Sequence, residues 1–579
     1  MADRQYLKRT SRGAVLAAML LAAVLLIGCG RPVPNPESPD SRSPVAGGTM
    51  TYFIDEPRSL EPRHAVDADS LAVISALFDP LVKVDPHDST ILIGAAAETF
   101  SSTATATVWT FELDQTARFS DGSPVRAQDF VYAFNRIANP QTVDTITREV
   151  APSPIIDSLA LVVGFDEVIT GTATTLSGVR ALDDYTLQIT LTRPFADFAY
   201  LMAHPAFSPL PQETVERGTE HNGTLIPYGE MPIGNGAFKL DEPWRHDQHL
   251  KTVRSDMYRG ERPYLEGVTF RMYRDVETAY REFLAGNLDY TLIAPGEIEA
   301  AVTQFGSAPD GYRANPGEQV LLGGRALTYS LVLNNEHEQL ANPAVRRAIS
   351  RAIDREALCA DIFADTHIPA TNIVSPGVAG YVERAWADTR FDANTARSAL
   401  AESGYPEGAG LVPFVFIYPY GTGHRDVAEQ VQRDLATVGI RVELEELEWE
   451  AYLERLAAGA FGFASVSYGA DYLSAYPFLE GAFASTSPEN FARYRSEATD
   501  VALAEIATMD DNEIRSRRLE ALNKTIAADN PVVPLTHPGI GTIVSTRMRD
   551  FSINVLMVPD WTNVWIPRDR QQPQNTSQR

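Results

Sequence analysis

The chain has 579 residues and a formal net charge of −27 at neutral pH, which excludes a nucleic-acid partner because a phosphate backbone requires a basic face. Its two cysteines, Cys29 and Cys359, are too few for a disulfide framework or a cysteine-based metal centre. The length exceeds what one hydrophobic core holds, so two or three lobes are expected.

The N-terminus carries Arg4, Lys8, Arg9 and Arg12 ahead of an apolar run from Ala14 to Ile27. A charged region followed by an apolar one is the layout of an export signal. At about fourteen residues the run is shorter than the roughly twenty a spanning helix needs, and no later stretch is long and apolar enough to cross a bilayer. Its ending, Leu26-Ile27-Gly28-Cys29, resembles the lipobox of bacterial lipoproteins, in which the cysteine is lipidated and becomes the new N-terminus. Residues 1–28 are therefore expected to be a signal peptide and Cys29 the lipid-bearing residue. Residues 29–48, rich in Pro and Ser, cannot bury a core and are expected to form an extended tether.

Beyond the tether, Met50 to Ile54 has the pattern of a short strand, and Ser59-Leu60-Glu61-Pro62 turns the chain into a helical stretch from Leu71 to Leu77. Val108 to Leu113 alternates as a half-buried strand, Phe119 to Pro124 makes a tight turn, and Phe130, Phe134 and Ile137 mark one helical face. A strand over Tyr185–Leu191 and a short helix over Phe195–Leu201 follow. The glycines of Pro232-Ile233-Gly234-Asn235-Gly236 allow a sharp bend before Ala237-Phe238-Lys239-Leu240. A second lobe is expected to open with the strand at Tyr329–Asn335. Asn342 is the N-cap of its first helix, Pro343 occupies the first helical position, and Val345, Ile349, Ala352 and Ile353 form the apolar face. Cys359, among Ala357, Leu358 and Ala360, reads as a small buried residue. From His424 to Val438 runs another amphipathic helix, stopped by Gly439 and followed by the strand Ile440–Leu444. Helix, glycine stop and strand in that order indicate an α/β lobe.

Several segments carry a family resemblance: Ala117 to Val125 with Asp129 to Phe134, Asn235 to Leu240, Val345 to Ile349 with Ala352 to Arg355, Ser403-Gly404-Tyr405-Pro406, Gly439 to Val442, and Gly469-Ala470-Asp471-Tyr472. In this order and at these separations, the chain resembles the extracellular solute-binding proteins of family five, the peptide-type receptors of ABC importers. The resemblance implies an α/β fold of two lobes, like periplasmic binding proteins of class II and cluster C type, with an extra subdomain in the first lobe. By that analogy the first lobe takes residues 49–78, 204–309 and 544–567. The subdomain takes 79–203, the second lobe 310–543, and 568–579 form a disordered tail. The implied partners are a peptide ligand, the permease and ATPase subunits of an ABC importer, and a membrane through the lipid anchor only. The protein is expected to act as a monomer outside the cytoplasm, without cofactor, metal or catalytic residue.

A free peptide presents an ammonium at one end and a carboxylate at the other, and burying either is costly without an opposite charge or several hydrogen bonds. In peptide-binding relatives the aspartate at the position of Asp471 pairs with the ligand's ammonium. Tyr468 and Tyr472 would then supply aromatic walls, and Gly469 and Ala470 room for ligand backbone. On residue type alone, Asp471 reads as a solvated loop residue or a helix N-cap rather than as a ligand contact. His424 stands where oligopeptide-binding relatives have a histidine near the peptide C-terminus, and it also reads as an exposed helix-start residue. A basic position six residues before the aspartate is Ser465 here, a departure that puts the carboxylate arrangement in doubt. Ligand backbone adding as a strand would give affinity without demanding particular side chains.

Other ligands used within the family are metal chelates, haem, sugars and signalling molecules, and the fold also serves sensors without transport. The ten histidines are scattered, against a metal cluster. An enzyme is not expected: there is no Gly-x-Ser-x-Gly elbow and no His-Glu-x-x-His.

Overall fold

The computed structural model describes residues 43–85, 91–364, 366–421, 423–470, 472–509 and 513–571. Cys29 and Asp471 lie outside the described residues.

The fold is built on two large sheets. The first has seven strands in the order Phe238–Leu240, His249–Arg254, Gly267–Met272, Thr49–Ile54, Tyr290–Leu292, Thr542–Val544 and Val320–Leu321. Thr49–Ile54 runs parallel to Gly267–Met272, and its buried Met50, Tyr52 and Ile54 face the main core. Asp67 caps the following helix, Ala68–Leu77, by accepting from the Ser70 N–H. The second sheet has six strands: His367–Pro369, Val532–Pro538, Leu327–Leu333, Phe463–Gly469, Phe414–Pro419 and Val442–Leu447. A smaller antiparallel sheet of four strands, Ala97–Ser102, Val108–Leu113, Thr186–Thr190 and Val179–Ala181, carries the helix Ala127–Ala138. Phe130, Phe134 and Ile137 of that helix are buried, as their spacing predicts. This is the α/β, two-lobed architecture expected from the sequence, with an added small sheet.

The chain passes between the large sheets twice, from Leu321 to Leu327 and from Pro538 to Thr542. The two crossings are tied to each other. Gly324 and Gly539 form an antiparallel bridge, the Ile540 N–H donates to Gly323 O at 2.8 Å, and the Arg325 N–H donates to Pro538 O at 2.8 Å. Glycine is required here by space: a Cβ on Gly539 would lie 2.6 Å from the Thr366 carbonyl oxygen.

Local expectations hold at the helix Pro343–Ala352, where the Asn342 side chain accepts from the Ala344 N–H. Cys359 is buried, within a short π-helical turn. Other boundaries differ, three of them with consequences for packing. The helix predicted over Phe195–Leu201 is confined to Phe198–Leu201; ahead of it the Phe195 N–H bonds to Ala106 O and the Ala196 N–H to Ala507 O. Residues 47 and 48, read as tether, are already docked: the Gly47 N–H donates to Tyr264 O, and Gly48 O accepts from the Glu266 N–H. Residues 568–571, read as part of a disordered tail, are instead fixed, through a turn at Arg568–Arg570 and a bond from the Arg570 guanidinium to Thr546 O.

Candidate functional site

The strand Phe463–Gly469 is paired along its whole length on one side and along only two residues on the other. Its antiparallel ladder with Leu327–Leu333 runs from Leu333↔Phe463 to Leu327↔Gly469. Its parallel ladder with Phe414–Pro419 is confined to Phe416↔Phe463 and Ile417↔Ala464. From Ser465 onward, no described strand continues the sheet on that side.

Register decides which backbone groups are left. The Asn334 N–H donates to Gly462 O and the Ala470 N–H to Ala326 O, so even-numbered residues of this strand bond toward Leu327–Leu333. By the alternation of a strand, Ser465, Ser467 and Gly469 then direct their N–H and C=O groups to the open edge. The Tyr452 hydroxyl takes the Ser465 carbonyl. Ser467 and Gly469 are exposed, and among the described residues nothing pairs with their backbone groups on that side, which leaves a template for an added strand.

Around this edge the predicted residues separate. Tyr468 points to the opposite face and is buried at 4 % exposure. Its hydroxyl has no hydrogen-bond partner among the described residues, and burial pushes its pKa up. Ala470 is buried, and Tyr472 is buried edge-on against Phe195 with ring centroids 5.7 Å apart. Of these residues only Gly469 lies on the open edge itself, so the aromatic walls expected from Tyr468 and Tyr472 are supports behind it. Exposed aromatic surface comes instead from Trp449, 58 % exposed and stacked on Tyr452 at 5.8 Å, and from Tyr420, 71 % exposed. The Tyr420 N–H donates to Leu447 O, which keeps it beside the Trp449 helix.

His424 begins the helix His424–Ala436 after Gly423, whose φ of 82° makes the turn. Its Nδ1 lies 3.0 Å from the Tyr329 hydroxyl, which donates to Ser465 Oγ at 3.0 Å. With Tyr329 donating to the serine, Nδ1 is the protonated nitrogen of the neutral ring and Nε2 carries the lone pair. Burial holds the imidazole below its ordinary pKa. His424 is thus brought to the Ser465 end of the edge, while its neighbour Arg425 is occupied by Glu446. Tyr329, Tyr452 and Ser467 were not singled out from the sequence. Their roles follow from register between distant strands, which leaves no local signal.

On the first sheet, Asp69 sits in the first turn of the helix Ala68–Leu77, and its pKa is pushed up to about 7 by burial and by the nearby Asp55. Arg325, exposed at the crossing, favours the charged form of Asp69 and disfavours that of His367, whose pKa lies near 4 chiefly through burial. Glu61, His64 and Asp144 place ligand-type atoms within 4.8 Å of one another. Arg63 and Arg136 both bond Glu61 Oε1, at 2.9 and 2.8 Å, so two guanidiniums already balance the two carboxylates. A divalent cation there would add uncompensated positive charge, and the cluster is better described as a buried ionic network.

Comparison with known proteins gives a consistent set. The sequence profile "Bacterial extracellular solute-binding proteins, family 5 Middle" matches residues 92–490. The periplasmic murein peptide-binding protein MppA of Escherichia coli is 28% identical over 514 residues, covering 87% of this chain and 90% of that protein. The periplasmic oligopeptide-binding protein OppA of Salmonella typhimurium is 28% identical over 473 residues, 80% of each. The unliganded open form of MppA superimposes with a TM-score of 0.77 at 26% identity, covering 90% of this chain and 98% of that one. A second structure of the E. coli protein, with the same identity and coverage of 90% and 99%, gives 0.63.

Proposed function

The chain belongs to the family 5 bacterial extracellular solute-binding proteins, and from that premise we propose that it captures peptides between its two lobes and delivers them to the permease of an ABC importer. The observation that carries this reading is the open edge from Ser465 to Gly469. Such an edge recognises the one feature all peptides share, their backbone, and leaves side chains to surfaces such as Trp449 and Tyr420. The murein peptide- and oligopeptide-binding relatives support the same ligand class. The two sheets serve as the cores of the closing lobes, and the paired glycine crossings as the hinge.

Within this reading, Asp471 pairs with the ligand ammonium, two residues beyond the open edge. His424 serves the carboxylate end by taking up a proton on Nε2 and donating it in a hydrogen bond to the carboxylate, since Ser465 is neutral and its hydroxyl is already bonded to Tyr329. Lipidation of Cys29 holds the receptor at the membrane, and the protein works as a monomer.

Mass spectrometry of small molecules released from protein purified without added ligand is expected to find peptides. Their absence, together with no thermal shift across a peptide library, overturns the assignment. Asp471→Asn is expected to weaken free peptides much more than N-acetylated ones, and equal losses would remove Asp471 from the amine site.

A further inference from the structure

Besides the two crossings, the second lobe is held at a third place. The segment that leaves the four-stranded sheet, residues 193–197, packs against helices beyond Tyr472. The Ala196 N–H donates to Ala507 O at 3.0 Å. Asp197 and Arg515 meet through two contacts, Oδ1 to Nη1 at 2.6 Å and Oδ2 to Nη2 at 2.8 Å, with side chains 0% and 2% exposed. The Arg515 guanidinium also lies over the Tyr476 ring, 5.6 Å from its centroid, and Phe195 meets Tyr472 edge-on. At the surface Arg193 reaches Glu480 at 3.4 Å.

These contacts fasten the segment that leaves the small sheet to the helices that follow Tyr472. Separating a fully buried guanidinium–carboxylate pair leaves two desolvated charges, so a cycle of opening and closing that broke it would meet a large barrier. A rigid rotation leaves in place only the points on its axis. The glycine crossings supply one such point, and the 195–197 contact has the properties of a second. Tyr472 lies just past one end of the open strand edge, whereas His424 is linked through Tyr329 to Ser465 at the other end.

We infer that Phe195, Asp197 and Arg515 are positioning residues that fix the Tyr472 end of the edge on the closure axis. One end of an incoming peptide then meets a wall already assembled in the open form. Closure brings the His424 end onto the ligand. The inference rests on the peptide reading above and adds to it an order of events.

The test joins the contact covalently, with Ala196→Cys and Ala507→Cys in a Cys359→Ala background. With the contact on the axis, the oxidised protein is expected to bind a tripeptide within about threefold of the reduced affinity and to contract on binding in small-angle scattering. Binding weakened roughly tenfold or more, and restored by reductant, overturns the inference. A second arm needs neither ligand nor substitution. Hydrogen exchange of the Ala196 amide in the ligand-free chain is expected to be as slow as that of core strands, and loop-like exchange overturns the inference. A parent chain that binds no peptide refutes the peptide reading instead, and the exchange arm then decides the contact.

Discussion

At Asp69 the environment sets a measurable pH dependence. An unfolded aspartate titrates near 4, whereas this one holds its proton to about 7, through burial first and the Asp55 charge second. Between those values the folded chain binds more protons than the unfolded one, so this group's contribution falls as pH rises, and its penalty is complete above the folded pKa. Asp69→Asn is therefore expected to be more stable than the parent at pH 8 and nearly equal to it at pH 4. Urea midpoints at the two pH values check this, and an equal gain at both would refute it. Arg515 offers a second test at this scale. Arg515→Met leaves Asp197 buried without its partner and is expected to cost about 3–5 kcal/mol, much of it recovered by adding Asp197→Leu. Denaturant unfolding of the single and double variants reads the coupling. Nothing in the sequence pointed to that pair, because its members are 318 positions apart and each is ordinary in its own surroundings.

For single elements, local pattern was a good guide and pairing was not. Val108–Leu113, the cap at Asn342 and the buried face of Ala127–Ala138 follow from alternation, capping chemistry and helical spacing. The open edge does not, since it exists only because the parallel ladder ends at Ala464 while the antiparallel one continues. The same register yields a discriminating substitution. Ser467→Pro removes an N–H that faces the open edge, so it is expected to weaken peptide binding roughly tenfold through one lost backbone hydrogen bond, with little change in melting temperature. Val466→Pro strikes the bonded side and is expected to destabilise the fold. Calorimetry and thermal unfolding of the pair separate the two effects, and similar behaviour of both would contradict the register. At the crossing, Gly539→Ala places a methyl 2.6 Å from the Thr366 carbonyl and is expected to lower the unfolding midpoint.

Across the whole molecule, composition and the order of motifs were enough to indicate two lobes and an extracytoplasmic binding protein. The contact that joins residues 195–197 to the second lobe was not legible, because the small sheet was read as belonging to one lobe alone. The anchor remains a sequence expectation, and it is testable on cells. Cys29→Ala is expected to move the protein from the detergent phase to the aqueous phase in a phase-partition assay, leaving peptide affinity unchanged. The segment from Ala46 to Gln571 begins and ends at one place: the Gln571 side chain reaches Ala46 O at 3.4 Å and Ile566 O at 3.0 Å. Neighbouring ends make the order of segments along the chain separable from their arrangement in space. A short linker from Gln571 to Ala46, with new termini opened at the exposed tip Asn222-Gly223, should give a circular permutant that retains both lobes and the open edge.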